Sequence, residues 1–434
     1  MSLDLKHLDT ESLPTEWTAE LFGNIVDFKL GKTPPRAGSI YWKNGKYPWV
    51  SISDMTPHGV VMKTAEKVSQ EAYDKIFRGQ LVPEGSLLMS FKLTIGRVSQ
   101  LGIPAFHNEA IISFRPDCES VNYDFLRYYL SQINYKDYQD TAIKGQTLNK
   151  GKLKSLEIAL PPLLEQKKIA HILSMVQRAI ETQERIIQIT TELKKALMQK
   201  LFTEGLHNEP QKQTEIGLIP ESWEVVELGT IFQKEPQNGI YKHKREYGTG
   251  TQILRIDDFG NDGDVVTKAR NLVRLSSNEI DSYGLEAGDI VINRVNSLSH
   301  LGKTALIGEI RSEMVFESNM MRFSVDEAKV RKQYVFKFLN SPVTKKQIVG
   351  TAKRAVAQSS INQGDVKSIL VPKPSLVEQE EIAGALEAIE SKIATAGRKT
   401  AALQELFRTL LHELMTAKTR VHDLEIPRLE LAAN

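Results

Sequence analysis

Counting from Ile382, apolar or small residues recur at alternating steps of four and three: Leu386, Ile389, Ile393, Ala396, Thr400, Leu403, Phe407, Leu410 and Leu414. Moving the same frame back by 213 positions selects Ile169, Leu173, Val176, Ile180, Gln183, Ile187, Thr190, Lys194, Leu197 and Leu201. A repeat of this step is the seam of a coiled coil, and no proline interrupts either run. The pattern predicts two helices of roughly 42–45 residues, each about 60–65 Å long at 1.5 Å per residue. Helices of that length do not fit inside one compact core. A seam of this kind can join separate chains, but two equivalent seams in one chain can also satisfy each other. Antiparallel pairing would relate the two halves by a pseudo-twofold axis and set two inverted domains at opposite ends of a rod.

Elsewhere the period shortens. SLLMSFKL, AIISF, DIVINRV and MMRFSV are short runs rich in Val, Ile, Leu, Met and Phe between Gly, Pro, Asn and Asp, and they read as strands. Helices are expected near 121–132 and 327–340, so each half begins with a mixed α+β domain of about 150 residues. The halves echo each other in detail. QTLNKGKLKSLEIALPPLLEQKKIAHIL at 146–173 and SSINQGDVKSILVPKPSLVEQEEIAGAL at 359–386 share eleven of twenty-eight residues without a gap. LPTEW at 13–17 is answered by IPESW at 219–223, and YPWVSISDM at 47–55 by TQILRIDDF at 251–259. A long internal repeat follows. The boundaries read as a first domain at 1–160, a helix at 161–206, a second domain at 207–373, a helix at 374–418 and a tail at 419–434.

Composition narrows the class. The 434 residues exceed one ordinary core, and 41% hydrophobic with 25% charged residues is the balance of a soluble globular protein. Cys118 is the single cysteine, which excludes an intramolecular disulfide and fits a reducing cytoplasm. The N-terminal MSLDLKHLDTESLP lacks the apolar core of a secretion signal. The nine histidines form no cluster with metal-ligand spacing, so no structural zinc is expected. A net charge of +2 neither requires nor forbids a nucleic-acid partner.

Candidate chemistry is sparse. LGKT at 30–33 and 301–304 suggests a phosphate loop, but the glycine needed five positions before each Gly-Lys pair is Val26 or Ser297. LPPL at 160–163 faintly resembles the catalytic tetrapeptide of amino-methyltransferases. Leu160 cannot hydrogen-bond a target amine and Leu163 cannot stack on a base, so the prolines read as the start of a helix. No catalytic, cofactor or metal site is expected in this chain. What remains is polar and basic residues on loops: Lys32, Thr33 and Arg36 in GKTPPR, Lys92 and Arg97 in SFKLTIGR, and Lys144 and Gln146 in KGQT. The second half offers Lys242, Lys244 and Arg245 in YKHKR, with Arg255, Arg294, Asn296, Lys303, Lys353 and Arg354 on later loops. Lys and Arg suit phosphates, and Arg, Asn and Gln can also read base edges. Lysine-rich loops are also ordinary solvated surface. Trp42 and Trp49 are expected to pack rather than stack on bases.

The repeated PPLLEQKKIA and PSLVEQEEIA junctions, each opening a long helix, resemble the specificity subunits of type I restriction-modification systems. TEIGLIPESWEVVELG at 214–229, GKTP…YWKNGKYPWVSISDM at 31–55 and GQTLNKGKLKSLEIALPP at 145–162 carry the resemblance across nearly the whole chain. The second domain departs from it where it reads PQNGIYKHKREYGTG. The resemblance implies two target-recognition domains reading the halves of a split, asymmetric DNA sequence, held apart by the paired helices. It also implies two modification subunits that bring S-adenosylmethionine and methylate adenine at N6, and restriction subunits that use ATP and Mg. The expected protein is thus a cytoplasmic, non-enzymatic DNA-recognition and assembly subunit, with no membrane partner. The competing reading is a coiled-coil scaffold whose two mixed domains bind protein, and retention of partner binding without duplex binding would favour it.

Overall fold

The computed structural model describes residues 14–424 apart from 38, 93, 117–118, 134, 136–139, 143–144, 261–262 and 355–358. The chain divides into two compact units, residues 1–183 with 399–434, and residues 184–398. These units cut across the boundaries expected from the sequence, because each takes one half of each long helix.

In the first unit a five-stranded sheet runs in the order Val26–Leu30, Ile111–Pro116, Leu87–Ser90, Val98–Leu101, Val60–Val61. Its first four strands pair antiparallel and the last pairs parallel. All four residues of Leu87–Ser90 are buried, as expected for a strand covered on both faces. A smaller sheet joins Glu66–Val68, Tyr47–Val50 and Phe106–His107. The second unit repeats the arrangement. Its five strands run Phe232–Asn238, Met320–Val325, Ile290–Asn293, Thr304–Ile307, Asp264–Val266, beside a sheet of Asn271–Val273, Tyr247–Leu254 and Met314–Phe316. The helices expected near 121–132 and 327–340 are Tyr123–Leu130 and Lys332–Leu339. YPWVSISDM holds a strand only over Tyr47–Val50, because Asp54 accepts the backbone N–H of Ser51 at 2.8 Å and turns the chain. Asp258 does the same to Arg255 at 2.8 Å in the other half.

The long helices are Leu163–Thr203 and Leu376–Met415. In the first unit Ile169, Leu173 and Ile180 of one share a core with Phe407, Leu411 and Leu414 of the other. In the second unit Met198, Leu201 and Phe202 share a core with Ile382, Ala383 and Leu386. The start of each helix therefore meets the end of its partner, which is antiparallel pairing. The polar break at Lys194 is an interhelical ion pair with Glu390 at 3.0 Å. Not every apolar residue joins the seam: Ile186, Ile189 and Leu193 lie outside it, 41%, 51% and 55% exposed.

The repeated Glu-Gln pair ties each long helix to its domain. Glu165 accepts the indole N–H of Trp17 at 3.3 Å, and Glu378 that of Trp223 at 3.0 Å. Gln166 donates to the Pro161 carbonyl at 2.8 Å and accepts the Asn122 N–H at 2.8 Å, where the short helix begins. Gln379 donates to the Pro374 carbonyl at 2.9 Å and accepts the Arg331 N–H at 2.7 Å. One amide thus satisfies both a strand exit and a helix start, groups that burial would otherwise leave unpaired.

Candidate nucleic-acid interface

In both units the chain leaves the first edge strand through a glycine with no room for a side chain. A Cβ on Gly31 would lie 2.0 Å from the Asn108 carbonyl oxygen, and one on Gly239 would lie 2.2 Å from that of Glu317. The next residue is pinned in the same way: the Lys32 N–H donates to His107 O and the Ile240 N–H to Phe316 O, both at 2.9 Å. Beyond that point the loops differ.

In the first loop Lys32 is exposed and its ammonium donates to the Ile76 carbonyl at 3.1 Å. Thr33 donates to Glu109. Arg36 makes a two-pronged contact with Glu66 at 2.5 and 2.9 Å while its guanidinium lies 4.0 Å over the Trp42 ring. The hydrogen bond to Glu66 raises the pKa of Arg36 further, and that from Arg36 holds Glu66 below its ordinary range. Trp42 packs edge-on against Trp49 at 5.0 Å, so these two rings pack, as expected.

In the second loop Lys242 is held between Glu279 at 2.8 Å and Glu246 at 3.5 Å, and the bond to Glu279 raises its pKa. Lys244 and Arg245 stay exposed, and their side chains have no partner among the described residues. Tyr241, an aromatic residue among these cations, is 70% exposed beside His243. It follows Gly239 and Ile240, whose N–H groups donate to the carbonyls of Met320 and Phe316, remote in sequence.

The remaining candidates fall into two kinds. Several serve the fold. Arg97 donates to the carbonyls of Ile52 at 3.0 Å and Met55 at 3.3 Å. Arg255 pairs with Glu317 at 3.3 Å, and Arg294 donates to the Ser318 carbonyl at 3.2 Å. Lys303 donates to the Ile256 carbonyl and lies 4.5 Å from the Phe259 ring centroid, and burial lowers its pKa. Others are brought together. Val295–Asn296, Ser359–Ser360 and Lys353–Arg354 form one three-stranded sheet, so Asn296 shares it with Lys353 and Arg354 although the sequence separates them. In the first half Gln146 lies on the hairpin Asp140–Ala142/Gly145–Thr147, Lys92 is half-buried at 5.3 Å from the Phe91 ring centroid, and Lys144 lies outside the described residues.

Among the described residues no group of three or more His, Cys, Asp or Glu is placed to hold a metal ion, and no helix is long and apolar enough to cross a membrane.

The family described as "Type I restriction modification DNA specificity domain" matches residues 14–191 and again residues 220–405. The type I restriction enzyme MjaVIII specificity subunit of Methanocaldococcus jannaschii is 26% identical, covering 97% of this chain and 97% of its own length. The type I restriction enzyme EcoBI specificity subunit of Escherichia coli is 26% identical over 72% of this chain and 69% of its own. Among solved structures, the type I restriction-modification system S subunit from M. genitalium shares the fold, with a TM-score of 0.56 at 15% identity over 92% of this chain and 96% of that one.

Proposed function

This chain belongs to the type I restriction-modification DNA specificity family, and we propose that its two halves are separate readers of one bipartite, asymmetric DNA target. The observation that carries this is a frame repeated twice with unlike loops hung from it. Gly31 and Gly239 hold the two loops at the same place in the frame, yet one presents Lys32, Thr33 and a clamped Arg36 while the other presents Tyr241, Lys244 and Arg245. Two unlike surfaces on equivalent supports would read two unlike half-sites. Lys32, Lys92, Lys244 and Arg245 are suited to phosphate contacts, which set position, and Gln146 and Asn296 to base edges.

In this reading the chain has no active site of its own. Two modification subunits supply S-adenosylmethionine and methylate adenine at N6, and restriction subunits supply ATP-driven cleavage with Mg. Ile186, Ile189 and Leu193, exposed at one helical spacing on the first long helix, support docking of such partners.

The test is to map methyladenine in cells that carry the modification partner, with and without this chain. A split motif methylated only when the chain is present is expected, and an unchanged map refutes the reading. Exchanging residues 207–373 for those of a relative should alter one half-site and leave the other. A change in both would refute independent readers, and retained partner binding without duplex binding would leave a scaffold.

A further inference from the structure

The first unit contains a hollow whose counterpart within the second unit is filled by that unit's own side chains. It lies beside the edge strand Val26–Leu30 and its neighbour Ile111–Pro116, and its volume is about 420 Å³. Ser113 lines it with a side chain only 3% exposed, whose hydroxyl has no partner among the described residues. Ser86, 2% exposed, accepts the Arg115 Nε–H at 3.2 Å. Lys29, Lys32 and Arg115 surround the hollow, and Asp27 is the one carboxylate in its lining. Phe106 forms an aromatic wall, backed by Phe77 stacked on it at 3.9 Å.

The internal repeat shows that this space is not demanded by the frame. Lys29 lies opposite Ser113 on the neighbouring strand, as Gln237 lies opposite Arg322. Leu87 and Ile290 occupy equivalent places, opposite Phe114 and Phe323, which matches Ser86 to Asp289. In the second unit the Arg322 guanidinium reaches Gln237, the Gly284 carbonyl at 3.4 Å and Asp289 at 3.5 Å, and lies 5.9 Å from the Phe316 ring centroid. Lys234 adds a second cation to Asp289 at 3.6 Å. A large side chain and its counter-ion plug there what two serines leave open in the first unit.

We infer that the hollow in the first unit binds a nucleotide unit, a planar ring bearing a phosphate. Its volume falls in the range of small-ligand sites, roughly 300–1,000 Å³. Lysine and arginine at the rim suit a phosphate, the Phe106 wall suits a flat ring, and the buried serine hydroxyls suit polar atoms on the ring edge. Lys32 belongs also to the candidate DNA surface, so the nucleotide can come from the free pool or from an unpaired position in DNA.

The experiment is calorimetric titration of the full chain with the four deoxynucleoside 5′-monophosphates, with inorganic phosphate, and with a single-stranded pentanucleotide. The comparison protein is S86D/S113R, which imports the plug that the second unit already accommodates. One site is expected, binding a monophosphate or the pentanucleotide at least about tenfold tighter than inorganic phosphate, with about a tenfold loss in the variant. Binding of the pentanucleotide alone assigns the site to DNA, and binding of both shows that a free nucleotide suffices. Lys29→Ala keeps the test open if the double variant misfolds, and should weaken binding by about threefold or more. Equal affinity in wild type and variants, or nucleotide binding no tighter than phosphate, overturns the inference. Duplex reading is measured separately by methylation, so failure here leaves that reading untouched.

Discussion

The two halves share a frame and differ in what they bury at equivalent places. The first sets Ser113 and Ser86 where the second sets Arg322 and Asp289, and it clamps Arg36 on Glu66 where the Lys244 and Arg245 side chains of the second have no partner among the described residues. At the helix junctions both halves keep Trp, Glu and Gln, but the buried carboxylates are completed differently. Glu165 takes Arg420 at 2.8 and 3.0 Å, whereas Glu378 takes the backbone N–H of Leu206 at 3.2 Å. Hydrogen bonds that connect a domain to its helix were retained in both copies, because a buried carboxylate or amide left unpaired is costly wherever it occurs. Loop surfaces carry no such constraint and have separated.

The largest effect should come from the junction itself. Trp223, 1% exposed, fills the second core and donates to Glu378. Trp223→Ala should cost about 3–5 kcal/mol and loosen the second unit while sparing the first. Segment-resolved hydrogen exchange checks this, with Trp17→Ala as the mirror experiment. Equal loosening of both units by either variant would break the comparison.

Acid should separate the halves next. Burial pushes the imidazoles of His58 and His107, both in the first unit, down to about 4. Native His58 and His107 stay neutral below pH 6.5 while the unfolded chain takes up protons, so stability falls as pH drops from about 6.5 towards 4. For a group as buried as His107 the loss is on the order of 3 kcal/mol at the bottom of that window. Exchange rates corrected for pH should show the first unit opening ahead of the second between pH 7 and 4.5. If the second opens first, these histidines do not govern acid sensitivity.

Arg420→Ala should have a smaller effect, confined to the first unit. It leaves Glu165, 2% exposed at its side chain, with only the Trp17 indole, and the expected cost is about 1–3 kcal/mol. Urea titration of the variant gives the value, and a cost near zero would mean the tail is dispensable.

The smallest effect concerns single phosphate contacts. Lys244→Ala and Arg245→Ala should each weaken duplex binding by the assembled complex uniformly across sequences, lowering the salt slope by about 1. Arg36→Ala, whose charge is already matched by Glu66, should leave the slope unchanged. A slope unaffected by both Lys244→Ala and Arg245→Ala would remove this loop from the DNA surface.

Much of this was legible in the chain itself. Heptad spacing, Pro-Pro and Pro-Ser before each run, and the shared Glu-Gln pair determined two long helices and a repeated domain, since helix period and end signals are local properties. Candidate basic loops were legible as loops. Which cations are free was not, because the acids that engage them lie far along the chain: Glu66 from Arg36, Glu279 from Lys242 and Glu317 from Arg255. The same holds for the hollow at Ser113. A serine in a strand reads as a small polar residue, and only its register opposite Lys29, set against Arg322 opposite Gln237, shows that one copy is empty where the other is filled. Period and composition are written residue by residue. Charge pairing and enclosed volume arise only when distant segments meet, and the tertiary structure decides them.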